Sequence, residues 1–340
     1  MKTYLLFLLL WFSLNLAISN QTLNNSIITK PGCPAKCGNL TVPYPFGIGL
    51  GSGCSIGQQF DMNCNTSFNP PKAFTSEGNL EVINISDSKI RVKNRVASEC
   101  YNEFSALSNQ STVRFNLETT PYSLSNENVL TVLGCDYRSM VESQGRGRGC
   151  NAFCSCETSI LKGLKSFLIS LDRRSNQTEV VSFNKCGYSF LGEKDSYLFR
   201  FRDLSDPHIM EKISETVPLV LDWVIDNKNC TEAQQSNNFT CQRNSICLNS
   251  DTGLGYRCSC PSGFVGNPYL KPGCQDINEC ESNPCDDENE ICSNTPGGYH
   301  CSCREGYFAG DRKYGVRGFV CLFQDGIYHE RKIVMPIGYL

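Results

Sequence analysis

Twenty-two cysteines divide this chain into three blocks of even count: ten from Cys33 to Cys186, six from Cys230 to Cys274, and six from Cys280 to Cys321. An even count lets each block close its own disulfides. That chemistry persists only outside the reducing cytosol. The two later blocks hold few large apolar side chains. Units that small depend on covalent staples rather than on a core. The first block is long enough to bury a core that its bridges then reinforce.

The N-terminus agrees with an oxidising compartment. Lys2 precedes an apolar run, and Ala17-Ile18-Ser19 is a small-x-small cleavage pattern, so residues 1–19 read as a signal peptide. No later segment has the ~20 apolar residues of a membrane helix; the best stretch, 217–225, contains Asp222. The expected product is secreted, with no membrane span. Nine Asn-x-Ser/Thr sequons follow, at Asn20, Asn24, Asn39, Asn65, Asn84, Asn109, Asn176, Asn229 and Asn238. Each glycan attached would hold its surface in solvent. A net charge of −3 argues against a nucleic-acid partner.

Between residues 30 and 229, short β-favouring runs alternate with Gly, Pro and Asn breaks, which predicts a mainly β, disulfide-rich fold. One helix is expected over 159–171, where Ile160, Leu164, Phe167, Leu168 and Leu171 recur at helical spacing. Cys150, Cys154 and Cys156 are spaced like metal ligands, but bridging is the reading that fits a secreted chain. Trp223 is expected in the core, packing this region on the next block.

The third block carries oxygen ligands. Asp276 and Glu279 offer carboxylates just before Cys280, and Asn294 offers an amide oxygen just after Cys292. Calcium takes about 6–8 such oxygens at roughly 2.3–2.6 Å. In the second block Lys228 stands where an acidic ligand belongs, so no metal is expected there.

Cysteine spacing in both later blocks resembles that of epidermal-growth-factor-like (EGF-like) modules, and the third resembles the calcium-binding kind. The resemblance implies modules at 230–274 and 276–321. It also implies the pairs Cys230–Cys247, Cys241–Cys258, Cys260–Cys274, Cys280–Cys292, Cys285–Cys301 and Cys303–Cys321. It adds carbonyls of Ile277, Thr295 and Gly298 to the calcium set and places Tyr299 as a cover. Only Gln275 separates Cys274 from Asp276, so calcium is expected to stiffen the junction between modules.

Three further stretches point to one family: 33–49 with its Pro43-Tyr44-Pro45-Phe46-Gly47 core, Cys186-Gly187-Tyr188-Ser189-Phe190-Leu191, and Val217-Pro218-Leu219-Val220-Leu221-Asp222-Trp223. Their order resembles the extracellular region of plant wall-associated receptor kinases, over about 30–321, with 30–229 as the cysteine-rich galacturonan-binding region. The resemblance implies a location in the cell wall and pectin or oligogalacturonides as partners. Family members continue into a membrane span and a kinase. Residues 322–340 form an unassigned tail with neither, so the expectation is an ectodomain without kinase activity: a truncated gene product, a splice variant or a stand-alone form. A receptor ectodomain or decoy for extracellular proteins, and a structural matrix protein, are the competing readings.

A polyanion needs spaced cations. Lys89, Arg91, Lys93 and Arg95 alternate and would share one face of a strand; an edge strand guarded by charge is the rival reading. Arg146 and Arg148, in a glycine-rich stretch read as a loop, are a second candidate, and Arg200 and Arg202 a third. Tyr44 and Phe46 read as structural. The histidines, His208, His300 and His329, have no acid or nucleophile at motif spacing, and Gly47-x-Gly49-x-Gly51 lacks the strand-to-helix context of a phosphate loop, so no enzyme is expected.

Overall fold

Alternation of buried and exposed side chains makes strand the dominant regular structure among the described residues. The computed structural model describes residues 28–174, 184–285, 289–311 and 319–323. The expected leader 1–19, the sequons at Asn20, Asn24 and Asn176, and the tail beyond Phe323 with His329 lie outside the described residues. The chain divides into two compact units. One runs to Cys260 and resumes over Gly266–Gly273; the other comprises Pro261–Val265 and the chain from Cys274.

Three large sheets build most of the first unit, beside two-stranded ladders of Lys36–Cys37 with Leu40–Thr41 and Ile246–Asn249 with Tyr256–Ser259. A seven-stranded sheet has the spatial order Tyr122–Leu124, Leu219–Trp223, Lys89–Val92, Glu81–Ile85, Lys72–Thr75, Asp61–Asn65, Gly47–Ile48. Its last pair is parallel, whereas the others are antiparallel. A five-stranded sheet runs Ser155–Ser159, Asn128–Leu133, Cys186–Glu193, Ala97–Tyr101, Leu107–Ser111. A four-stranded sheet runs Val113–Asn116, Ser166–Arg173, Tyr137–Ser143, Arg146–Ala152. The inward residues of the three, among them Ile90, Val92, Phe115, Leu130, Tyr137, Phe167 and Trp223, share a core with Phe46 and Phe60 from the adjoining turns. The helix Ile209–Thr216 buries Ile209 and Ile213 against Leu133 and Phe190.

The helix expected over 159–171 does not form. Ser155–Ser159 and Ser166–Arg173 are strands joined through a turn. Gly163 sits in that turn at φ +78°, a left-handed conformation that interrupts a helix. Phe167, Ile169 and Leu171 are buried at every second position, and Phe167 stacks on Phe115 directly across the sheet, ring centroids 5.0 Å apart. Period two therefore overrode the helical count.

Disulfides close each block on itself. In the first they join Cys33–Cys54, Cys37–Cys64, Cys100–Cys186, Cys135–Cys154 and Cys150–Cys156. Cys150 lies in the four-stranded sheet and Cys156 in the five-stranded sheet, so this bridge ties two sheet edges together. In the later blocks the bridges are Cys230–Cys247, Cys241–Cys258, Cys280–Cys292, Cys285–Cys301 and Cys303–Cys321. Cys260 and Cys274 are also oxidised, and no described cysteine is free.

The first EGF-like block is not a separate bead. Tyr256, Cys258 and Tyr269 belong to the core of the large domain. Trp223 is 2% exposed and meets Phe46, Phe60 and Tyr269 at centroid distances of 5.2, 6.1 and 6.3 Å. Backbone and side-chain bonds extend the seam, with Ile225 N donating to Tyr256 O at 2.9 Å and Asn267 Nδ2 to Tyr44 O at 2.7 Å. Phe46 is buried and Tyr44 half-buried, which gives both a structural role here.

Candidate functional site

The smaller unit gathers the oxygen ligands. The strand Cys274–Asp276 delivers Asp276, a single 3-10 turn at Glu279–Ser282 follows, and the hairpin of Glu290–Thr295 with Gly298–Cys303 closes over Pro296 and Gly297. Gly297 turns at φ +82°, which favours glycine. The Cys280–Cys292 bridge fastens the turn to the hairpin, one residue from Glu279 and two from Asn294.

Asp276 is half-buried and accepts two hydrogen bonds, one from Asn294 Nδ2 at 2.7 Å and one from the Gly297 N–H. Committing the amide nitrogen to Asp276 leaves the Asn294 oxygen as its ligating end. Glu279 Oε2 is buried and has no hydrogen-bond partner. An orphaned carboxylate oxygen is costly unless a cation or donor satisfies it, so the donor set fits a hard cation. Ile277 is anchored by its N–H, which donates to Gly263 O at 2.9 Å. Thr295 and Gly298 are paired at the hairpin end, and Tyr299 stands opposite Asn294, 45% exposed. Five of the six expected residues thus lie on these elements of one unit, and Ile277 lies in the link between the strand and the 3-10 turn. A second cluster, Cys285 with Glu290 and Cys301, carries no metal chemistry, because its two sulfurs are bridged to each other.

The expected row of four cations is broken. Its strand ends at Val92, so Lys93 and Arg95 lie beyond it. The strand is not an edge either; it pairs with Leu219–Trp223 on one side and Glu81–Ile85 on the other. Lys89 is ion-paired with Glu127 at 2.6 Å. Arg91 grips Glu193 with two bonds, Nε to Oε2 at 2.9 Å and a second through Nη2. Hydrogen bonding from Arg91 holds the Glu193 carboxyl below its ordinary range. Arg95 lies over the Phe115 ring at 5.3 Å. These acidic partners are 38 and 102 residues away, beyond the reach of local sequence reading.

The second candidate changes character. Residues Arg146–Ala152 are an edge strand, not a loop. Arg200 and Arg202 sit at and inside the 3-10 turn Phe201–Ser205, so they do not alternate along a strand. Of the described sequons, Asn39, Asn84, Asn109 and Asn238 are exposed. Asn65 is half-buried, its side-chain oxygen accepting from Ser67 N at 2.9 Å. Asn229 caps the helix Cys230–Gln234, and Lys228 pairs with Asp226 at 3.8 Å. Among the described residues no helix is long and apolar enough to cross a membrane.

Two families match the chain in the order its architecture suggests. Residues 33–94 match the wall-associated receptor kinase galacturonan-binding domain, and residues 276–315 the calcium-binding EGF domain. Wall-associated receptor kinase 2 of Arabidopsis thaliana is 33% identical over 81% of this chain and 38% of its own length. Wall-associated receptor kinases 4 and 1 of the same plant are each 32% identical, over 90% and 82% of this chain and 43% and 40% of theirs. The chain thus spans about two-fifths of the length of these curated relatives. The matched domains are of the extracellular, non-catalytic kind. With both domains in that order on one disulfide-rich β frame, the chain is similar to the galacturonan-binding and EGF-like region of the wall-associated receptor kinases.

Proposed function

We propose that this chain is a cell-wall ectodomain that binds de-esterified pectin and carries a calcium ion in its last EGF-like module. The observation that carries the reading is one chain holding both a galacturonan-binding match at 33–94 and an oxygen cluster with an orphaned Glu279 carboxylate. Asp276, Glu279 and Asn294 would hold the ion through side chains, and Ile277, Thr295 and Gly298 through carbonyls. Bound calcium supplies rigidity by cross-linking the 3-10 turn to the hairpin. The protein's part is to hold these oxygens close before the ion arrives, which the Cys280–Cys292 bridge and the Asn294–Asp276 bond already do. The product acts outside the cell, and kinase chemistry belongs to the relatives' remaining length.

Two titrations of the secreted full chain test the proposal. Calorimetry with calcium should give one saturable site, and retention on polygalacturonate should exceed retention on a neutral galactan. Absence of saturable calcium heat removes the metal from the account. Equal retention on both polysaccharides removes pectin.

A further inference from the structure

The segment that matches the galacturonan-binding domain has spent most of its cations. Lys72 pairs with Glu81, Lys89 with Glu127 and Arg91 with Glu193. The four-stranded sheet downstream of it has not. Arg114, Arg138, Arg146, Arg148 and Arg174 make no ion pair with a carboxylate among the described residues.

Strand register fixes where Arg114 and Arg138 stand. Tyr137, Ser139 and Val141 are buried, so Arg138, Met140 and Glu142 face outward. Opposite them on the edge strand lie Asn151, Gly149 and Gly147. Opposite them on the other side are Asp172, Ser170 and Leu168, and Arg114 pairs with Leu168. The outward face is therefore a furrow with a low floor of Met140 and two glycines. Two clefts open along it, one of about 610 Å³ lined by Arg138, Arg173 and Arg174, the other of about 430 Å³ lined by Arg114 and Arg146. Met140 lines both. Each cleft contains one carboxylate, Asp172 in the first and Glu142 in the second, so cations outnumber anions in both. The two cationic ends are separated by four strand residues, roughly 13 Å. Directly after the edge strand, Phe153 is 90% exposed, an aromatic face of the kind on which sugar rings stack. The Cys150–Cys156 bridge fixes the edge strand that forms the furrow wall.

We infer that this furrow is a binding site for a linear polycarboxylate glycan, a stretch of polygalacturonate long enough to reach both arginine clusters. The inference rests on the pectin reading above and moves the contact surface outside residues 33–94. Arginine forks bind carboxylates in two parallel bonds, which suits a stiff chain carrying one acid per ring. A single galacturonate fills one cleft only, so affinity rises with chain length until both are spanned.

The test uses the secreted full chain and polygalacturonate, with disulfide mapping and circular dichroism as folding controls. The variant Arg114→Ser/Arg138→Ser/Arg174→Ser should weaken retention by roughly tenfold or more. Arg202→Ser, an exposed cation elsewhere, should leave it unchanged. Gly147→Leu keeps every charge but fills the floor; a Cβ there first meets the end of the Met140 side chain, at 2.8 Å. It should weaken retention as well. If the triple variant binds like wild type, the furrow is overturned and pectin binding stands. If the triple variant weakens while Gly147→Leu does not, the charge acts diffusely and the seated chain is overturned. If wild type ignores polygalacturonate, both the furrow and the pectin reading fall.

Discussion

Removing the Trp223 ring should loosen the first EGF-like block from the large domain as well as lower stability. In Trp223→Ala, three aromatic neighbours lose their partner, Phe46 at 5.2 Å, Phe60 at 6.1 Å and Tyr269 at 6.3 Å. Truncating a buried aromatic costs about 3–5 kcal/mol. Edge-to-face pairs contribute about 0.5–1.5 kcal/mol each beyond their buried area, which places this site in the upper half of that range. The indole N–H also donates to Ser86 O at 3.1 Å, and losing it leaves a carbonyl unsatisfied for about 1 kcal/mol more. These contributions overlap, so the expected loss is about 4–5 kcal/mol rather than their sum. Guanidinium unfolding with disulfides intact measures it. Hydrogen exchange reports the second consequence, because Tyr256, Cys258 and Tyr269 share this core and their segment should lose protection with it. Trp223→Phe keeps a ring but not the N–H, and should cost roughly 1–2 kcal/mol. A loss below ~1 kcal/mol in the alanine variant, or unchanged protection over 256–269, would refute a fused core.

Glu279→Gln should abolish the calcium heat while leaving the metal-free module as stable or more so, because it neutralises an orphaned buried carboxylate. In wild type, calcium at 100-fold excess over Kd should stabilise the module by about 2.7 kcal/mol, measured as a thermal shift. The Glu193 carboxyl is held low by the Arg91 hydrogen bonds, so its contribution is present above the unfolded value near ~4.3 and fades as pH falls through the lower folded value. Glu193→Gln should flatten the acid limb of a stability–pH curve by about 1 kcal/mol. Lys89→Ser/Arg91→Ser should lower the unfolding midpoint but leave polygalacturonate retention unchanged, because both cations are already engaged.

The general architecture was legible because cysteine parity and strand alternation are local signals. Asp276, Glu279 and Asn294 could be grouped from sequence alone, since two of them precede Cys280 closely and the third follows Cys292. Failures came where the deciding contact is distant in sequence. Glu127 and Glu193 neutralise the Lys89–Val92 strand from two other places in the chain. Arg114, Arg138 and Arg174 carry no shared motif; strand register brings Arg114 and Arg138 to one face, and Arg174, just past its strand, joins Arg138 in one cleft. The false helix over 159–171 had a local warning in Gly163, and Phe167, Ile169 and Leu171 fitted period two as well as period 3.6. Trp223 was expected to pack on the next block, but its partner there, Tyr269, was not foreseen.

Polygalacturonate affinity of the full secreted chain, followed across a salt series, tests the central claim most directly. Several arginine–carboxylate contacts predict affinity that falls steeply as ionic strength shortens the screening length, with methyl-esterified pectin binding far more weakly at every salt. Affinity that ignores salt, or that is equal for the esterified and free-acid polymers, would contradict an ectodomain built to hold a polyanionic wall glycan.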